Sequence, residues 1–141
     1  MRTFLFDLFT AFLFLTSSVH AEGVTLTLRG AEIGQGPVMV AVYKEEDSWL
    51  KLPKALITKK IPADQETVQM TLDLKPGIYA IHTFQDKNQN GKLDMQWLPP
   101  GPAEPWVVSN GAQGTMGPPR FADAKISIAS DSSITLKLQK P

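Results

Sequence analysis

No cysteine occurs anywhere in the chain, which excludes a disulfide-stapled mini-domain, a Cys-ligated zinc or iron–sulfur centre and a thiol nucleophile. Neither sign of charge is in excess, because 14 Lys and Arg are matched by 14 Asp and Glu. Without a clustered basic surplus there is no electrostatic footprint for DNA, RNA or an anionic membrane, so nucleic acid is not expected as a partner. A sustained helical period is missing too, and beyond the first 21 residues there is no long hydrophobic run. The nucleophile elbow, the zinc-protease helix and the phosphate-cradling glycine loop are all absent as sequence patterns.

What is present begins with an export signal. Arg2 supplies a positive start, Phe4 to Leu15 is an apolar run of signal-peptide length, and Val19-His20-Ala21 satisfies the small-residue rule for cleavage. The run is shorter than the roughly 20 residues of a comfortable membrane span. Residues 1–21 therefore read as a cleaved secretory signal and residues 22–141 as one domain, periplasmic or secreted, with no transmembrane segment after cleavage. Five of the seven Phe fall in that signal, leaving Phe84 and Phe121 beside three Trp and two Tyr. The core must be mostly aliphatic, in a domain large enough at about 120 residues to stand without disulfides.

Apolar alternation with a period of two dominates those residues. Val24, Leu26 and Leu28 share one strand face, and so do Val38, Val40 and Val42, then Val68, Met70, Leu72 and Leu74, and finally Ile134, Leu136 and Leu138. Ala124 to Ile128 adds a half-buried strand. Ile78 to Phe84 is apolar on both faces, as a central strand covered on both sides would be. Ala55 to Ile61, with Lys59-Lys60, suits an edge strand, and Lys75-Pro76-Gly77 a tight reversal. Leu98 to Pro119 holds six Pro and four Gly, forbidding regular pairing over most of a loop expected to pack over the sheet, with a short strand near Pro105 to Ser109. The expected fold is all-β: a single antiparallel β-sandwich of about seven strands with Greek-key connections, immunoglobulin-like.

One segment carries chemistry. Asp86-Lys87-Asn88-Gln89-Asn90-Gly91-Lys92-Leu93-Asp94 matches the first nine positions of an EF-hand-type calcium loop. Asp86, Asn88 and Asn90 offer oxygens at positions 1, 3 and 5, Gly91 permits the turn, Lys92 would contribute its backbone carbonyl, and Asp94 sits at position 9. Trp97 replaces the bidentate Glu of position 12, so any calcium site should be as weak as extracellular ones, on the order of 0.1 to 1 mM. Glu104 is the candidate to replace the missing carboxylate. The competing reading is a metal-free Asx turn in a hairpin loop, since Asn-Gly is itself a hairpin signal.

Other candidates are a His82–Asp86 acid–base pair, a carboxylate pair drawn from Asp86, Asp94 and Glu104 for a hydrolase, and a binding surface built on Trp97, Glu104 and Trp106. The leading expectation is a non-enzymatic exported binding or accessory module, with an unidentified protein or saccharide as partner and calcium as the one cofactor to consider. A purely structural sandwich with a metal-free turn and, third, a hydrolase using Asp86 or Glu104 are the alternatives.

Several motifs in order, Leu72 to His82 with its Pro-Gly-Ile-Tyr turn, Asp86 to Asp94, Pro102-Ala103-Glu104-Pro105 with Ser109-Asn110, and Gly117-Pro118-Pro119 before Phe121 to Ala124, resemble a bacterial secreted family, domain of unknown function (DUF) 2141. The resemblance covers nearly all of residues 22–141 and implies a small envelope-associated, transthyretin-like β-sandwich with no established activity, which makes the expected module one of the bacterial cell envelope and its partner an envelope protein or saccharide. The chain departs from that pattern at Trp97-Leu98-Pro99-Pro100-Gly101-Pro102, where the family has a shorter turn.

Overall fold

Residues 23–141 are described by the computed structural model, and the expected signal at 1–21 lies outside them. The alternating segments form strands as their period dictates. β1 (Val24–Arg29), β2 (Val38–Tyr43), β3 (Ile57–Ile61), β4 (Thr67–Leu72) and β5 (Gly77–Gln85) are followed by the short β6 (Met95–Trp97), β7 (Pro100–Pro102) and β8 (Trp106–Val108). A single helical turn, α1 (Phe121–Ala124), precedes β9 (Ile126–Ile128) and β10 (Ser133–Lys137).

One sheet has the order β10-β1-β4, and the other β3-β2-β5-β8 with β9 also on β5. The two inner faces meet in an aliphatic core in which Val24, Leu26, Leu28 and Leu72 face Val38, Val40, Val42 and Ile81, all essentially inaccessible. At one side the sheets are tied together, because the Trp106 amide donates to the Gln139 carbonyl (3.0 Å) and the Gln139 amide to Trp106 (2.8 Å). The molecule is an all-β sandwich as expected, with three corrections.

The strands number ten among the described residues, and β1 pairs with β10 in parallel. Most of the surplus comes from the Pro-rich segment, where β6 and β7 form a two-stranded ribbon. Prolines fit there because the Ala103 amide donates to the Asp94 carbonyl (2.8 Å). Alternation then places Pro100 and Pro102 at pairs that exchange no hydrogen bonds. Lys75-Pro76-Gly77 does not reverse the chain within one sheet but carries it from β4 to β5 in the other. The Tyr79 hydroxyl pins that crossing by donating to the Lys75 carbonyl (2.8 Å).

β5 is the central strand, bonded to β2 on one side and to β8 and β9 on the other. Its two neighbours on that side leave a gap at Ile81, which Ser109 fills: the Ile81 amide donates to Ser109 Oγ (2.8 Å), and that hydroxyl donates to the Ala124 carbonyl (2.6 Å). The outer face of this sheet carries a second cluster of Ala41, Tyr43, Ala80, Val108, Ala112, Phe121 and Ala124, against which Trp49, Leu52 and Trp106 pack. Trp49 stands edge-on to Tyr43 and Phe121 and donates its indole N–H to the Pro119 carbonyl (2.7 Å). The long loop thus lies over the sheet, and β3 is an edge whose Lys59 and Lys60 are exposed.

Candidate functional site

Alternation along β5 sends Tyr79, Ile81, Thr83 and Gln85 inward and Ala80, His82 and Phe84 to the outer face. Around His82 and Phe84 the covering is incomplete, and a cavity of about 940 Å³ opens there. Tyr43, His82, Phe84, Trp106 and Val108 form its floor, while the β6–β7 ribbon and residues 113–119 form its walls. That volume lies at the upper end of the range for small-molecule sites. The walls are held apart by their own chemistry, since prolines stiffen the ribbon and the Trp49–Pro119 bond anchors the far loop.

Lys92, Gln113 and Thr115 contribute polar groups to the walls, and two more polar residues, His82 and Tyr43, belong to the floor. His82 is 8% exposed and packs beside Phe84, with ring centroids 5.5 Å apart. Burial alone, without a neighbouring charge or hydrogen bond, pushes its pKa down to about 4. The imidazole is therefore neutral near pH 7 and offers one donor and one acceptor nitrogen. The Tyr43 hydroxyl is buried beneath the floor with no hydrogen-bond partner among the described residues, and burial raises its pKa to about 12.

The Asp86–Asp94 loop leaves the end of β5 beside this cavity, which Lys92 and Leu93 also line. Asp86 is 1% exposed; its Oδ1 accepts from the Asn90 amide (3.1 Å) and its Oδ2 from the Gly91 amide (2.7 Å). Asn88 and Asn90 both aim their Nδ2 groups at Asp94 Oδ2, at 2.6 and 2.8 Å. Their own Oδ1 atoms accept from the Asn90 and Lys92 amides (3.2 and 3.1 Å), which are Asx turns. Asn88 and Asn90 thus meet at Asp94, whereas both oxygens of Asp86 are taken by amides of the same loop. Among the described residues no group of three or more His, Cys, Asp or Glu side chains is placed to hold a metal.

Glu104 does fold back onto this loop, but as a clasp. It is 4% exposed, with Oε1 accepting from the Lys87 amide (2.8 Å) and Oε2 from the Asp94 amide (3.1 Å). Both of its oxygens and both of Asp86's are thereby engaged with backbone amides. No hydrogen bond joins His82 to Asp86, because His82 points to the outer face and the Asp86 side chain turns into its own loop. From the other side, Gln85 Nε2 donates to the Glu32 and Gly36 carbonyls (2.7 and 2.9 Å) while its Oε1 accepts from the Glu32 amide (2.8 Å). Lys87 pairs with Glu32 at 2.7 Å, holding that carboxyl below its ordinary range.

The three residues expected to form one binding surface are therefore separated in role. Trp106 is on the cavity floor, Glu104 clasps the loop, and Trp97 stands 93% exposed at the end of the ribbon. Sequence reasoning missed Tyr43, Phe84, Val108 and Met95 as a set. Their signal was the two-sided apolarity of residues 38–43 and 78–84, which demanded a cover on the outer face without revealing that the cover is incomplete.

The class defined by this geometry is an all-β sandwich with a half-open apolar cavity on the outer face of its larger sheet. Residues 26–136 match the model of a family described as uncharacterized protein conserved in bacteria (DUF2141), and the chain belongs to that family. No curated protein and no solved structure matches it.

Proposed function

We propose that this protein is an exported, non-enzymatic binding module of the bacterial envelope that holds a small, largely apolar and uncharged ligand on the floor built by His82, Phe84, Trp106 and Val108. The observation that carries this reading is the 940 Å³ cavity lined mostly by apolar side chains and backbone, with a neutral imidazole at its base and Lys92, Gln113 and Thr115 confined to its walls. Buried apolar area supplies affinity, and His82 supplies a single oriented hydrogen bond. A charged group at that depth would lose its hydration without a counter-charge. An envelope protein or saccharide docking over the same face is the coarser partner class to which this ligand reading gives a chemistry.

The test is titration with N-phenyl-1-naphthylamine, an uncharged probe that fluoresces when taken out of water. The expected result is saturable binding of one probe per chain, weakened about tenfold by Met95→Asp, since a charge on the wall removes apolar contact comparable to one buried side chain. Met95 is 67% exposed, so the variant keeps its fold. Absence of saturable binding, or identical binding by the variant, overturns the reading.

A second proposal concerns the neighbouring loop: Asp86, Asn88, Asn90, Asp94 and the Lys92 carbonyl bind calcium weakly. It is supported by the meeting of the two Asn side-chain amides at one Asp94 oxygen, because a half-turn of each amide, giving up its Asx-turn bond, would present oxygen there instead. The expected result is a thermal midpoint raised by several degrees in millimolar calcium over EDTA, unaltered by magnesium and lost in Asp86→Ala but not Asp131→Ala. No calcium-specific shift leaves the metal-free turn.

A further inference from the structure

Of the seven large apolar side chains exposed among the described residues, four belong to the β6–β7 ribbon, its turn and the 113–119 loop, while Ile33, Leu56 and Ile78 lie elsewhere. Met95 is 67% exposed, Trp97 93%, Leu98 90% and Met116 100%. In the β6–β7 ribbon, Met95 pairs with Pro102 and Trp97 with Pro100, so these four residues share one side. Met95, Pro100 and Pro102 line the cavity. The same apolar side therefore runs from the cavity wall out to the ribbon's tip, where Trp97 and Leu98 stand free in water.

Charge is confined to the base of the ribbon, where the exposed Lys92 also lines the cavity. From Met95 to Pro119 the single ionisable side chain is Glu104, and it is buried in its clasp. Twenty-five successive residues thus present no charge to solvent, in a chain that is 20% charged overall. A protein partner is ordinarily met by an apolar centre inside a polar rim. Here the apolar residues crown a narrow, convex tip stiffened by Pro99 and Pro100, with an indole at the apex, which suits a soft and flat partner. Trp is favoured at the boundary of lipid headgroups and acyl chains, and an uncharged segment enters that zone without stripping water from an ion.

We infer that the tip at Trp97-Leu98, with Met95 and Met116, is a membrane-insertion wedge that seats the open mouth of the cavity against a lipid bilayer. With Glu104 buried and no other ionisable side chain from Met95 to Pro119, this attachment is apolar. It is then indifferent to salt and to the anionic fraction of the lipid, unlike attachment through a basic patch.

The purified protein is to be sedimented with phosphatidylcholine vesicles, with and without added phosphatidylglycerol, at low and high salt. Quenching of its tryptophan fluorescence by lipids brominated on the acyl chain is read in parallel. The expected results are partition that neither salt nor phosphatidylglycerol alters, and a quenched component that disappears in Trp97→Phe. Partition falls at least about tenfold in Leu98→Asp, which loses one inserted apolar side chain and gains a charge. Ile78→Asp, an exposed apolar position at the opposite end of β5, leaves partition unchanged. Wild-type protein that stays in the supernatant, equal loss in the two Asp variants, or quenching that survives Trp97→Phe overturns the inference. So does a monomer–dimer equilibrium abolished by Leu98→Asp in the absence of lipid, which would make the tip a contact between copies. Naphthylamine binding is scored separately: its loss refutes the cavity reading and leaves the wedge standing, whereas failed partition with intact probe binding does the reverse.

Discussion

His82 makes stability pH-dependent in a window where few other groups titrate. Its folded pKa is about 4 against an ordinary 6.5, and burial is the cause. A depressed folded pKa means that the unfolded chain takes up a proton first, so stability is complete above about pH 6.5 and falls as the pH approaches 4. Each unit of pKa difference corresponds to 1.36 kcal/mol, so lowering the pH from about 7 to about 5 removes roughly 2 kcal/mol. The carboxyls of Glu32 and Asp123 are held below their ordinary values of 4.5 and 3.8 and act at lower pH still, outside the upper part of that window. The assay is urea unfolding at both pH values. With a slope of about 1 to 3 kcal/mol per molar, the wild-type midpoint should drop by roughly 1 M, while His82→Gln should show little change. An equal drop in both proteins would refute the claim that a neutral, desolvated His82 forms the cavity floor.

Tyr43→Phe removes a buried hydroxyl that has no partner and should raise stability by about 1 kcal/mol in denaturant melts; a loss of stability would reveal a bond the geometry does not contain. Ser109→Ala leaves the Ile81 amide and Ala124 carbonyl unpaired inside the sheet and should cost about 2 to 3 kcal/mol, with faster amide exchange at Ile81. Glu104→Ala releases the amides of Lys87 and Asp94 together, for a cost of about 2 to 4 kcal/mol, whereas Glu104→Gln keeps one acceptor and should fall between; equal stabilities for all three would deny the clasp.

The sandwich was legible because period-two alternation at 24–28, 38–42, 68–74 and 134–138 admits one burial pattern, and the register follows from it. β5 could be read as central because both of its faces are apolar. The parallel pairing of β1 with β10 left no mark, since alternation is the same for either direction of the neighbouring strand. The β6–β7 ribbon was hidden because Pro is counted as a breaker, although at non-bonded pairs of a two-stranded ribbon it costs no hydrogen bond. The Asp86–Asp94 turn was legible through its Asx pattern, whereas Glu104's role was not: from sequence it is a free carboxylate, and its occupation by two distant amides depends on where the ribbon ends. The cavity was the least visible feature. It arises from what residues 113–119 fail to cover, and a gap between covering segments has no residue of its own.

The most direct test of the central claim is a map of probe binding by two-dimensional ¹H–¹⁵N NMR during titration with N-phenyl-1-naphthylamine. The account predicts saturable shifts confined to the cavity: the His82 imidazole, the Trp106 indole N–H, and the amides of Val108 and of residues 113–117. Residues of the inner core, such as Leu26 and Val40, should stay unmoved. Shifts that centre elsewhere, or none at saturating probe, would contradict it.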